Sequence, residues 1–230
     1  MVITAPTLLG FNQGSSSTLT ITTSTDIVAG RLVVVAIAPY ARSITSITDP
    51  NNGSYTKAVG FVSGTDRLEY WYKANAQALA SGSTITCNLG SGGGGIGSVI
   101  ACQVAGILPV SPYDSPVSKS LDDTSGGDST PNLNSGTPTT NSTIIFGAIG
   151  YGISTGTINL TDHAPFSTVK IETQPGITSD DTNLALAYTI STSKTVVTYA
   201  PTFNTTPDYD FALIAGFKGS PSKSFGTVIA

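Results

Sequence analysis

The feature that most constrains this chain is the near absence of helical periodicity. Apolar residues either alternate with polar ones or run together in strand-length pieces, and Gly, Pro, Asn or Asp closes each piece. This pattern predicts strands at Thr18–Thr22, Leu32–Ala38, Ile44–Thr48, Tyr55–Val62, Arg67–Lys73, Ser83–Leu89 and Gly97–Val104. A second series is expected at Thr143–Tyr151, Ser167–Thr173, Leu184–Ile190, Thr195–Ala200 and Phe211–Lys218. One segment, Lys73–Ala80 (KANAQALA), has helix-forming composition and ends in a Ser-Gly turn. About a dozen short strands predict an all-β fold, a two-sheet antiparallel β-sandwich that is jelly-roll-like.

A chain of 230 residues can withdraw roughly 70% of its unfolded surface from water, so one large core needs no staples. The expected division is an N-terminal arm (residues 1–16), a single sandwich domain (17–218) and a C-terminal arm (219–230), with no internal repeat legible. Three strands, LVVVAIA, TIIFGAIG and FALIAGF, are apolar on both faces. Antiparallel sandwich strands normally wet one face, so loops of the chain or a neighbouring subunit must cover the other. The Gly-, Pro- and Ser-rich stretch Ser118–Asn141 is expected as a long surface loop and a contact element. After a Gly-Ser-Pro spacer the tail carries Phe225, Val228 and Ile229, which either fray or add to a neighbour's sheet edge.

Charged residues make up only 10% of the chain, against about 25% in an ordinary soluble domain. Ser, Thr, Gly and Asn take their place, as suits a rigid exterior protein. Net charge is −4 with no basic run, so nothing drives counterion release and nucleic acid is not an expected partner. The opening MVITAPTLLGFNQG lacks a basic n-region and an adequate apolar core, and no later stretch is apolar for the ~18 residues a membrane span needs. Neither export nor membrane insertion is expected. Synthesis in a cytoplasm and release by lysis, as for virion components, reconciles that with the exterior-type composition.

No reactive constellation stands out. GISTG (Gly152–Gly156) matches the nucleophile-elbow pattern around Ser154, yet no amphipathic helix follows it. The only histidine, His163, sits in a turn-rich stretch. GSGGGGIG (Gly90–Gly97) fits a phosphate-loop spacing but joins two strands, so a hairpin loop is expected. Cys87 and Cys102 flank it and could face each other, as buried free thiols or as a cross-strand disulfide; without histidine neighbours they cannot hold zinc. TDPNNG (Thr48–Gly53) holds half of a calcium-loop signature, although Asp49, Asn51 and Asn52 can also build the turn themselves. Sequons at Asn52, Asn141, Asn159 and Asn204 carry little weight without export. No enzyme activity, metal or cofactor is expected.

RLEYWYK (Arg67–Lys73) is the most informative local stretch. With a hairpin turn at Ser63–Asp66, Leu68 and Tyr70 face the core alongside Val59 and Phe61. Trp71 then shares the other face with Arg67, Glu69 and Lys73, opposite a floor of Ala58 flanked by Thr56 and Gly60. Such a tryptophan is an interface anchor, a sugar-stacking platform, or an indole covered by a loop of its own chain.

Taken in order, GRLVVVAIA, SITSITDPNNGSYTKA, DRLEYWYKANA, SVIACQVAGILPVSPYD, STIIFGAIG and DFALIAGFKG resemble a recurring β-sandwich domain of phage structural proteins and bacterial surface proteins. The resemblance spans most of Gly30–Gly219 and carries no catalytic residue across. It implies a virion structural protein, a capsid decoration or cement protein that binds the major capsid protein as a homo-oligomer, a trimer in the favoured case. The alternative is a carbohydrate-binding or adhesive module of a phage tail or cell surface, using Trp71 and its tyrosine neighbours on a glycan.

Overall fold

The computed structural model describes residues 2–92, 95–123, 130–152, 158–172 and 181–221. Its first half contains β1 (Thr7–Gly14), β2 (Thr18–Thr22), β3 (Leu32–Ala38), β4 (Ile44–Asp49), β5 (Gly53–Ser54), β6 (Thr56–Ser63), β7 (Asp66–Lys73), β8 (Thr84–Leu89) and β9 (Gly97–Val104). The second contains β10 (Lys119–Asp123), β11 (Leu133–Asn134), β12 (Thr143–Gly152), β13 (Leu160–Thr161), β14 (Ser167–Glu172), β15 (Asn183–Ser191), β16 (Thr198–Tyr199), β17 (Thr202–Phe203) and β18 (Tyr209–Lys218). A single 3-10 turn, Ser115–Val117, is the only helical element among the described residues. The fold is an all-β antiparallel sandwich, as the sequence pattern predicts.

Two five-stranded sheets form its centre, in the orders β1-β9-β3-β7-β6 and β10-β18-β12-β15-β14. These are the same order written twice: in each half the first strand pairs with the last, the last with the long apolar strand, and that strand with the final hairpin. The registers agree as well. Leu32 opposite Val104 corresponds to Ile144 opposite Phe217, and Val34 opposite Tyr72 corresponds to Phe146 opposite Tyr188. Each hairpin even carries a bulge at the same place, between Lys57 and Val59 in β6 and between Thr168 and Lys170 in β14. The chain is therefore an internal duplication, and the absence of a repeat expected from the sequence is corrected.

The two large sheets lie face to face, and their contacts come in reciprocal pairs. β9 meets β15 as β18 meets β7; β1 meets β14 as β10 meets β6; β3 meets β15 as β12 meets β7. Such reciprocity is the mark of an isologous, twofold interface, here between two halves of one chain. Its core holds Leu32, Val34, Tyr70 and Ile100 from the first unit and Ile144, Phe146, Leu186 and Leu213 from the second. A second core lies under the outer sheet β2-β8-β4-β5, where Val33, Val35, Ile37 and Val99 meet Leu19, Ile21, Ile47 and Ile85. A third core, with Ile145, Ile149, Tyr199 and Phe203, lies under the paired ladders β11-β16 and β13-β17.

This stack explains why LVVVAIA, TIIFGAIG and FALIAGF are apolar on both faces. Each belongs to a sheet covered on one side by the other unit and on the other by its own outer layer.

Several local expectations change. Lys73–Ala80 is not helical: Asn75 adopts a left-handed conformation (φ 49°), and Ala76 and Leu79 turn into the second core. The expected arm of residues 1–16 contains β1, which pairs along β9. Within the expected loop Ser118–Asn141, Lys119–Asp123 forms the edge strand beside β18. Of Thr195–Ala200, only Thr198 and Tyr199 enter a strand.

Candidate contact surfaces

The RLEYWYK face is the first candidate. Leu68 and Tyr70 point into the inter-unit core with Val59 and Phe61 packed nearby, and Trp71 lies on the opposite face, as the alternation requires. The bulge at Ala58 shifts the hairpin, so Lys57 rather than Ala58 stands opposite Trp71. Trp71 is half-buried against the second core, and its indole N–H donates to Glu69 Oε2 at 2.7 Å. Glu69 is almost fully buried, and its other oxygen receives Lys57 Nζ at 2.6 Å. Lys73 Nζ donates to the carbonyls of Asn52 and Ser54. Arg67 is half-buried at the hairpin end of the strand. The indole is thus fixed by a buried carboxylate, and the charges of Glu69 and Lys73 are turned inward.

Asp49 closes the neighbouring turn. Its Oδ1 accepts the backbone N–H groups of Asn51 and Asn52 at 2.9 and 2.8 Å, and its Oδ2 accepts the Tyr55 hydroxyl at 2.8 Å. Burial first, then the Asp49 charge, pushes the Tyr55 hydroxyl pKa far up. Asp49 is thereby committed to the turn, and among the described residues no three His, Cys, Asp or Glu side chains gather as a metal site.

The cysteines do not face each other. Cys87 lies on β8 in the outer sheet and points into the second core, whereas Cys102 lies on β9 in the central sheet and points into the inter-unit core. The Gly-rich stretch between them passes from one sheet to another and is not a hairpin. Both thiols are free and buried, and burial pushes the Cys87 pKa up to about 12 and that of Cys102 further. His163 is exposed, with Nε2 2.9 Å from Thr202 Oγ1. Ser154, Phe225, Val228 and Ile229 lie outside the described residues.

A second surface went unnoticed in the sequence: the outer face of the outer sheet. Leu19, Ile21, Ile85, Cys87 and Ile47 point inward, so Thr18, Thr20, Thr22, Thr84, Thr86 and Asn88 point out. They align across the strands: Thr20 opposite Thr86 and Thr86 opposite Thr48, Thr22 opposite Thr84, and Thr18 opposite Asn88, which donates to Ser46 Oγ at 3.0 Å. Lys, Arg, Asp and Glu are absent from these outward positions. The signal was present in TLTIT and TITCN, where every second residue is Thr or Asn.

A third surface is an apolar groove of about 570 Å³ at one end of the stack, with Val2, Ile3, Leu108, Ile190 and Pro221 in its walls. It lies where β9 and β18 finish and the chain passes from one unit to the next.

No family model, curated protein or solved structure matches this chain.

Proposed function

We propose that this protein is a non-enzymatic structural protein that works by lying flat against other proteins, in the setting of a virion surface as a capsid decoration or cement protein. The observation that carries the reading is the uncharged hydroxyl face of the outer sheet. Ordering Lys, Arg or Glu at an interface costs up to about 2 kcal/mol each in rotamer freedom, and charged residues are depleted at interface cores. A short Thr or Asn on a rigid sheet avoids most of that cost and still offers hydrogen bonds. Many modest contacts of this kind add through multivalency when the protein binds as a symmetric oligomer, a trimer in the favoured case. The major capsid protein is the expected partner.

The test is co-sedimentation with shells of the parent virion, together with light scattering in solution. Binding is expected for the native chain and loss of at least tenfold in affinity for Thr20→Arg with Thr86→Arg, because two desolvated cations would sit at the centre of the face. A monomer that leaves shells unbound, or an arginine pair that binds normally, defeats the proposal. The glycan alternative rests on Trp71, whose half-buried ring and engaged N–H leave less of a platform; glycan-array binding abolished by Trp71→Ala would establish it instead.

A further inference from the structure

We infer that the two hairpin edges of the central sheets, β6 and β14, are built to refuse a further strand, so that a second copy of this chain cannot lengthen either sheet. The inference concerns contact between copies of this chain and does not rest on the virion setting.

β6 and β14 end the two five-stranded sheets, and among the described residues no strand pairs along the far side of either. Such an edge offers a row of backbone N–H and C=O groups to any strand that comes alongside. β6 is the more exposed to that hazard. It contains no buried residue, it carries Val59, Phe61 and Val62 close together, and Val62 is 51% exposed. Short apolar strands of this kind pair readily with their own copies.

Both edges are broken by one extra residue. Ala58 is inserted between Lys57, opposite Trp71, and Val59, opposite Tyr70. Val169 is inserted between Thr168, opposite Ala187, and Lys170, opposite Leu186. The insertion upsets the spacing of roughly 6.7 Å between like-facing backbone groups, bends the strand and adds twist, so a straight neighbour can match only one side of it. Inner pairs keep an unbroken register: β3 with β7 and β9, and β12 with β15 and β18. β1, the other edge of the first sheet, has a break of the same kind at Leu9. β10, the other edge of the second, pairs regularly and carries Lys119, Asp122 and Asp123 among its five residues, charge being a further guard of an edge.

A lysine stands beside each hairpin bulge. Leu186 faces the inter-unit core, so Lys170 opposite it points into the seam between the sheets, where its Nζ lies 3.9 Å from the centre of the Phe11 ring. Lys170 is half-buried there, and covering it with another strand would strip the remaining water from a charge. Lys57 points to the opposite face, gives its Nζ to Glu69 and lies across Gly60, where a Cβ would come within 2.8 Å of it. Packing does not demand the insertion. Without Ala58, Lys57 would still oppose Trp71 and Val59 would still oppose Tyr70, each on its present face. The equivalent residues of the two edges are unlike, Lys57, Ala58 and Val59 against Thr168, Val169 and Lys170, so the bulge is kept where the sequence is not.

Deleting Ala58 and Val169 from the full-length chain tests the inference. At unchanged circular dichroism, the variant should reach at least about twice the native mass in light scattering as concentration rises. Its β6 and β14 amides should exchange about tenfold more slowly at high than at low concentration, whereas native exchange should not depend on concentration. Lys170→Thr leaves the backbone as it is and should associate in the same way with a smaller gain in mass. A folded deletion variant with the native mass and concentration-independent exchange would overturn the inference. Should the deletions unfold the chain, a Lys170→Thr variant silent in both measurements would do so. Native β6 amides that become protected as concentration rises would overturn it equally.

Discussion

The two units share one central design and differ in what they build outside it. In the first unit, β8 is continuous and pairs with both β2 and β4, giving a four-stranded outer sheet. In the second, the corresponding stretch is broken at Ala200-Pro201 into β16 and β17, which among the described residues pair with β11 and β13 respectively and not with a common sheet. Proline removes a ladder donor, so a continuous central strand cannot pass through it. The large sheets have no such freedom. Each supplies half of the same interface, and a change in one face must fit the other. Shared packing preserves strand order, register and even the hairpin bulges, whereas the outer layers diverge to a flat hydroxyl face on one side and a looped cover on the other.

The sharpest way to break this comparison is at the shared core. Phe146→Ala should cost about 3–5 kcal/mol in denaturant unfolding, and both units should lose stability in one transition. Two separate transitions, with the first unit unaffected, would mean that the halves do not depend on one another.

A size exchange beneath the outer layers comes next. Gly147 lies flat under the Tyr199 ring, which a Cβ would meet at 2.6 Å, while the equivalent position in the first unit is Val35. Gly147→Val should therefore cost about 1–3 kcal/mol, and adding Tyr199→Cys should return part of it as a favourable coupling in a double-mutant cycle. Strict additivity would show that the Tyr199 ring does not set the cost of a side chain at position 147.

Glu69 and Trp71 have Ala185 and Ala187 as their counterparts, so the carboxylate anchor belongs to the first unit alone. Glu69→Ala should cost about 1–2 kcal/mol, discounted for the partly exposed Lys57, and the emission of the single tryptophan should shift to the red. Unchanged emission would show that packing alone fixes the indole.

The smallest effect concerns two aspartates that end matching triplets, ITD at Asp49 and LTD at Asp162. Asp49 has a full set of donors. Asp162 accepts from Thr168 at 2.6 Å, yet burial raises its pKa above the usual range. A raised carboxyl pKa means that the folded state holds the proton more tightly than the unfolded chain. The associated stability is complete at pH below the ordinary aspartate value and is lost as pH rises through the folded value. Asp162→Asn should thus raise the melting temperature by a few degrees at pH 7 relative to pH 3. A difference independent of pH would contradict the burial argument.

Much of the fold was legible because strand alternation is a local property. LVVVAIA, GSVIACQV and the RLEYWYK face stand where period-two reading puts them. The duplication was not legible, because the twofold preserves patterns and not identities: Trp71 matches Ala187, Tyr70 matches Leu186, and Cys102 matches Ala215. Strands apolar on both faces did signal a cover, and whether loops, a neighbour or a second unit supplied it depended on contacts distant in sequence. Ala58 shows the limit at the candidate site. One bulged residue replaced the expected neighbour of Trp71 with a lysine, and bulges leave no reliable mark in composition.

Val2 and Pro221 stand on the walls of one groove, so whatever precedes the first and whatever follows the second emerge from the same pole of the molecule. A module with adjacent entry and exit can be spliced into a loop of a host protein without prying that loop apart, and tension applied through its two ends peels it from a single corner instead of stretching it along its length.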